Sequence, residues 1–155
     1  MNRKSLIILF ILVTAFTKAE IKLPAIFSDN MLLQQNTQVN IWGKADANKT
    51  VNIKISWSKK TIKIIADESG NWKTSFATPA TDGKSQTITI SDGKTITLKN
   101  ILLGELWFCS GQSNMEMPMK GFKNQPVENS NMDILNSNNR NIRLFTVKRN
   151  ASLVP

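Results

Sequence analysis

No histidine occurs among the 155 residues, so the usual proton acceptor for a serine or cysteine nucleophile is missing. Cysteine is nearly absent as well. A single Cys109 excludes an internal disulfide framework. Without a histidine to form its thiolate, it reads as a structural thiol buried in an apolar strand. The apolar stretch near the start, residues 6 to 16, falls well short of the roughly 20 residues that span a bilayer. Clusters of positive charge are also lacking. Beyond residue 19 no basic run exceeds Lys59-Lys60, and no basic helix is interleaved with aromatics, so nucleic acid is not an expected partner. No internal repeat is evident, and the one biased segment is an asparagine-rich stretch from Asn124 to Asn141.

What is present begins with the plan of a secretory signal. Arg3 and Lys4 supply positive charge, residues 6 to 16 the apolar stretch, and Thr17-Lys18-Ala19 small residues at the outer positions of a cleavage site. Cleavage after Ala19 predicts export to the periplasm or beyond the cell, with no stable membrane insertion afterwards. The remaining 136 residues suffice for one ordinary domain but are few for two complete ones. Loss of the signal lowers the net charge from +9 to +6. Most of the dispersed lysines read as solvated surface, with a mild positive field that favours an anionic sugar.

From Ile21 to Leu98 short β-type segments alternate with turn residues, the pattern of a sandwich or barrel. Strands are expected at Gln38 to Trp42, Thr50 to Trp57, Thr61 to Ile65, Trp72 to Phe76, Gln86 to Ser91 and Thr95 to Leu98. In residues 51 to 57 apolar and polar residues alternate, so one face is buried and the other meets water. Asp67 to Asn71 and Ser91-Asp92-Gly93-Lys94 read as turns. Trp42, Trp57 and Trp72 read first as packing aromatics, with a sugar-stacking platform as the alternative.

The pattern changes at Asn100. Residues 101 to 109 form a near-continuous apolar strand, as in a parallel sheet covered by helices on both faces. A helix is expected over 128 to 136 and a further strand over 142 to 147, giving one βαβ crossover. The predicted fold class is therefore α+β: an antiparallel β-sandwich followed by the first βαβ unit of an incomplete α/β domain. The expected divisions are a signal at 1–19, an accessory β-sandwich at 20–99, and the truncated start of a catalytic domain at 100–155.

Gly111-Gln112-Ser113-Asn114-Met115 comes directly after the apolar run. A serine on a turn beyond a strand's carboxyl end projects Oγ into the crevice where open α/β sheets bind ligands. Its backbone N–H faces the same space and is a candidate oxyanion donor, though one donor is an incomplete oxyanion hole. Gly111 permits close approach, while Gln112 and Asn114 offer amides that hold the turn or touch the ligand. Met115 occupies the place of the second glycine in the G-x-S-x-G elbow of α/β-hydrolases, so this is a different elbow. Read from spacing alone, the alternative is a turn whose serine caps the next segment. A lysine base would need a strongly lowered pKa, and no lysine adjoins Ser113 in sequence. Glu105 and Glu116 are weak bases towards a hydroxyl and read as salt-bridge or capping residues.

The longer string from Leu103 to Met119, LGELWFCSGQSNMEMPM, closely resembles the nucleophile block of the sialate O-acetylesterase family within the SGNH hydrolase superfamily. Upstream, Leu23 to Gln35 and Val39-Asn40-Ile41-Trp42-Gly43 resemble the family's start after its signal. Downstream, Asn141 to Phe145 is similar to the strand after the nucleophile block. The resemblance covers essentially all of the chain after residue 19, but only the amino-terminal portion of the family.

It implies Ser113 as nucleophile and oxyanion donor, O-acetylated sialic acid or a related acetylated glycan as substrate, and an acetyl-enzyme hydrolysed by water. No metal and no cofactor are implied. In the superfamily the base comes from a later Asp-x-x-His block, and a glycine and an asparagine complete the oxyanion hole. None of the three is assignable in these residues, so the fragment is expected to be inactive alone. The rival expectation is a non-catalytic glycan-binding or adhesion sandwich, built on its three tryptophans, with a vestigial hydrolase segment.

Overall fold

Alternation of side chains across the strand axis accounts for most of the architecture. In the computed structural model, which describes residues 20–147, strand β3 (Thr50–Ile55) buries Val51, Ile53 and Ile55 and turns Lys54 outwards. The expected signal, residues 1–19, lies outside the described residues. The other strands are β1 (Leu32–Gln34), β2 (Gln38–Lys44), β4 (Thr61–Ile65), β5 (Asn71–Ala77), β6 (Gln86–Ser91) and β7 (Thr95–Gly104). A five-stranded sheet in the order β1-β7-β6-β3-β4 faces a two-stranded sheet of β2 and β5. Ile41, Val51, Ile53, Ile88, Ile90 and Ile101 are the fully buried centre between them. With one short α-helix among the described residues, α1 (Ser130–Asn136), the fold is α+β and rich in sheet. No helix among the described residues is long and apolar enough to cross a membrane.

Two close approaches hold the sheets in register. Gly43 stands opposite Trp72 in the β2–β5 ladder, and a Cβ there would lie 2.6 Å from the Lys22 carbonyl oxygen and 2.8 Å from Trp72 Cζ2. Buried Thr78 uses its hydroxyl to donate to the carbonyls of Gln34 (2.7 Å) and Thr37 (3.0 Å). A polar group buried without such a partner loses its hydration and gains nothing in exchange.

Strand β7 changes partner along its length. It runs antiparallel to β6 as far as Ile101, and from Leu102 to Gly104 it runs parallel to β1. Between the Leu98 and Ile101 pairs with β6, Asn100 takes a left-handed conformation (φ 55°), and three residue steps of β7 span the interval that two steps of β6 cover. This is a one-residue bulge, which bends the strand and re-aims its last residues. The change of pattern seen at Asn100 thus coincides with a bulge inside a strand that continues in the sandwich sheet to Gly104.

The sequence reading differs from the structure beyond that point. The strand expected over 101 to 109 stops at Gly104, and residues 142 to 147 form no strand. The helix is present, somewhat shorter than expected, but the parallel pairing of a βαβ crossover does not form within the described residues. A strand is stable only where a neighbour takes its backbone donors and acceptors and covers a face. Residues 101 to 103 obtain both from β1, β6 and the sandwich core; residues 105 to 109 and 142 to 147 obtain neither. For the same reason Cys109, expected to be a buried thiol, is exposed.

Candidate functional site

The chain leaves the sandwich through a latch of amides around one carboxylate. Gln34 and Gln35, at the end of β1, donate their side-chain N–H groups to Glu105 at 3.0 and 2.7 Å, and the Leu106 backbone N–H donates to Gln34 Oε1 at 2.8 Å. The donation from Gln35, then that from Gln34, holds the Glu105 carboxyl below its ordinary pKa of 4.5, because both bonds favour the charged form. Glu105 is thereby committed to fixing where the chain goes after β7. That role answers the salt-bridge or capping expectation with a third arrangement, a carboxylate clasped by two glutamines.

A second latch comes from almost 40 residues further on. The Arg143 guanidinium donates to the carbonyls of Met31 (3.0 Å) and Asn100, and to Asn100 Oδ1 (3.2 Å). Asn100 is also held from the other side, donating its side-chain N–H to Asn30 Oδ1 at 2.6 Å. The bulge frees the Asn100 carbonyl, and the arginine fork takes it together with the Met31 carbonyl, which also accepts the Leu102 N–H. Partial burial lowers the Arg143 pKa from its ordinary value, and the group stays charged. Both ends of the segment 105–143 are thus tied to one edge of the sandwich, the β1–β7 edge.

Ser113 sits between these ties. It opens a one-turn 3-10 helix, Ser113–Met115, in which the Met115 N–H donates to Gln112 O (2.9 Å) and the Glu116 N–H to Ser113 O (3.1 Å). Gln112 is the cap residue, and its side chain makes no capping hydrogen bond. Ser113 is inside the turn instead of ahead of it, so the capping alternative does not describe its place. An N–H at the start of a helical turn has no acceptor within the turn, which is the property an oxyanion donor needs.

Gly111 has a packing reason of its own. A Cβ there would lie 2.8 Å from Met115 Cγ, so the methionine folds back over the glycine and closes the turn. Where the α/β-hydrolase elbow uses a second glycine, this turn uses a side chain to cover the first. Gly111, Gln112, Ser113 and Asn114 are all exposed, side by side on one surface turn. The loop behind them is shaped by Gly121, whose N–H donates to Pro118 O at 2.7 Å, and by the Phe122–Gln125 bridge.

The chain has no histidine to take the Ser113 proton, and Glu105 is engaged in its latch. The described residues do bring apolar surface. Leu106, Trp107 (83% exposed), Phe108 (89%) and Leu144 (92%) stand in water on either side of the turn in sequence. Sequence reasoning missed both latches. Gln34-Gln35, at the end of an apolar stretch, and Arg143, inside one, carried the signal, but their partners lie at sequence separations of 43 to 112 residues.

No protein-family model matches this sequence, and comparison with curated proteins finds no match. Among solved structures the chain is similar to a carbohydrate acetylesterase from Xanthomonas citri, with a TM-score of 0.68 at 23% identity. The match covers 78% of this chain, more than the sandwich and both termini together supply, so the likeness extends into residues 105–147. It covers 26% of the acetylesterase, so the chain spans about a quarter of that protein's length. What the two share at this identity is a fold: the sheet-rich frame on which the Ser113 turn is mounted.

Proposed function

We propose that this chain carries the nucleophile end of a serine-dependent carbohydrate O-acetylesterase, exported by the signal at residues 1–19 and acting on O-acetylated sialic acid or a related acetylated glycan. The observation that carries the reading is the Ser113 turn: an exposed serine opening a helical turn, on a segment latched at both ends to the sandwich. The likeness to a carbohydrate acetylesterase supports it, and so does the nucleophile-block resemblance. The sandwich, which runs to Gly104 and so past the division expected at residue 99, serves as accessory module, and the catalytic portion begins where the chain leaves it.

In this reaction Ser113 Oγ attacks the acetyl carbonyl carbon while a base takes the hydroxyl proton. The carbonyl oxygen becomes an oxyanion beside the Ser113 N–H. The ester C–O bond then breaks, the sugar oxygen leaves with the proton returned by the base, and the acetyl group stays on Oγ. Water repeats the sequence, and acetate departs. The resemblance to the esterase family assigns the base and the other oxyanion donors to later blocks that these 155 residues do not contain.

Acetate release from an O-acetylated sialic acid tests the proposal, with the complete gene product compared before and after Ser113→Ala. The expected loss in kcat/KM is at least about 1,000-fold, since removing a nucleophile leaves only the catalysis of binding and oxyanion contacts. Equal turnover by both proteins removes Ser113 from the mechanism. Residues 20–155 alone are expected to release acetate no faster than buffer, and a Ser113-dependent rate from that piece would mean that its base lies within it.

A further inference from the structure

The sandwich has a cleft to which no residue of the Ser113 turn contributes. This cleft of about 680 Å³ opens over the β2–β5 sheet, lined by Lys22, Trp42, Lys44, Asn71, Trp72 and Lys73 among others. That volume lies in the range of about 300–1,000 Å³ typical of small-ligand sites. The ladder register explains the grouping. Trp42 pairs directly with Lys73 and Lys44 with Asn71, so all four share the outward face of the sheet. Gly43 and Trp72 form the pair between them on the inward face.

The three tryptophans separate in the structure. Trp72 is 3% exposed and belongs to the core. Trp57 is partly buried, meets Phe76 edge to face, and donates its indole N–H to Ala77 O at 3.0 Å. Trp42 is the most exposed of the three at 41%, and its ring meets buried Phe27 in a T-shaped contact with centroids 4.7 Å apart. An indole held by such a contact and still open to solvent can serve as a platform for the C–H face of a sugar.

Charge selects among sugars. Three lysines line the cleft with one carboxylate, Asp67. Asp67 accepts the backbone N–H groups of Asn71 (2.8 Å) and Ser69 (2.9 Å) on one oxygen, and the Asn71 side-chain amide (3.3 Å) on the other. It is occupied in holding the β4–β5 turn. Its pKa is held below the ordinary value, first by the Asn71 backbone bond, and Lys44 adds to that effect. The cleft therefore presents net positive charge to an incoming group. A nucleic acid would ask for a continuous track of basic residues, and the remaining lysines are dispersed.

We propose that the Trp42 cleft binds a saccharide bearing a carboxylate, the pyranose stacked on Trp42 and the carboxylate held by Lys44 and Lys73. The site docks acidic glycan independently of the Ser113 chemistry.

The test is binding of sialyllactose and of tetragalacturonate to the full chain, followed by tryptophan fluorescence, with lactose as the uncharged control. At least one acidic saccharide is expected to bind at least tenfold more tightly than lactose, with affinity falling as salt rises. Trp42→Ala and Lys73→Glu should each weaken binding at least fivefold, while Trp57→Phe and Ser113→Ala leave it unchanged. Lys73 is an exposed strand residue, so its variant keeps the test intact should Trp42→Ala disturb the Phe27 contact. Failure of both acidic saccharides to bind, lactose binding equally well, indifference to Lys73→Glu, or tighter binding of an oligothymidylate would each overturn the proposal. Acetate release from a small chromogenic ester is expected to survive Trp42→Ala in the complete gene product, so the two sites can fail separately.

Discussion

Residues 21–104 and residues 105–147 both carry many large apolar side chains, yet they solve the burial problem differently. In the first region Ile53, Ile88, Ile90 and Ile101 have no exposed surface. In the second, Trp107, Phe108 and Leu144 are almost wholly in water. Hydrophobicity alone therefore does not make a core; a second layer must face it. The first region closes on itself because two sheets present apolar faces to each other. The second is held to the first through Glu105 and Arg143, near its two ends, and leaves its apolar faces for another layer to cover.

The largest effects should separate the two regions. Ile53→Ala or Ile88→Ala is expected to cost about 2–5 kcal/mol in urea unfolding, since each deletes fully buried methylenes and leaves a cavity. Leu144→Ala should fall within about 0.5 kcal/mol. A cost at Leu144 matching that at Ile53 would mean that the second region packs as well as the first. Gly43→Ala should come next, at about 1–3 kcal/mol, because the added methyl meets a backbone oxygen and the Trp72 ring, neither of which can yield freely.

Arg143→Met should have a smaller effect on global stability, about 1 kcal/mol, but a clear local one. With the fork gone from the Met31 and Asn100 carbonyls, proteolysis within residues 105–147 should quicken while the sandwich stays intact. Unchanged cleavage would show that the latch does not restrain the segment.

The smallest effect is a pH dependence at Glu105. Its folded pKa lies below its ordinary value, so its contribution is present above about pH 4.5 and is lost as pH falls through the depressed value. The Leu106 amide resonance and its exchange rate should track that titration, and Glu105→Gln should flatten it. A transition that persists in Glu105→Gln would assign it to another carboxyl.

Much of the sandwich could be read in the sequence. Thr61–Ile65 and Gln86–Ser91 have the bounds that alternation predicts, and β2, β3 and β5 differ from expectation by one or two residues at an end. β1 escaped notice because three residues carry too little period, and its partner lies 70 positions away. Residues 101 to 109 were legible as apolar strand only to Gly104, since nothing local distinguishes the part that finds a partner from the part that does not. At the candidate site, Gly111-Gln112-Ser113-Asn114 could be placed on a turn after the sheet. The latches that hold that turn could not.

Alternation is a property of neighbours along the chain, so local order was enough to say which residues form most of the strands, which face each turns inward, and that a serine comes after the last of them. Partner choice is different, because it depends on residues brought together from far apart. The bulge at Asn100, the parallel pairing with β1, the arginine fork on the Met31 and Asn100 carbonyls, and the exposure of Trp42 where Trp72 is buried were set only when both sheets were in place. Each requires an acceptor or a surface that exists nowhere in the chain until folding assembles it.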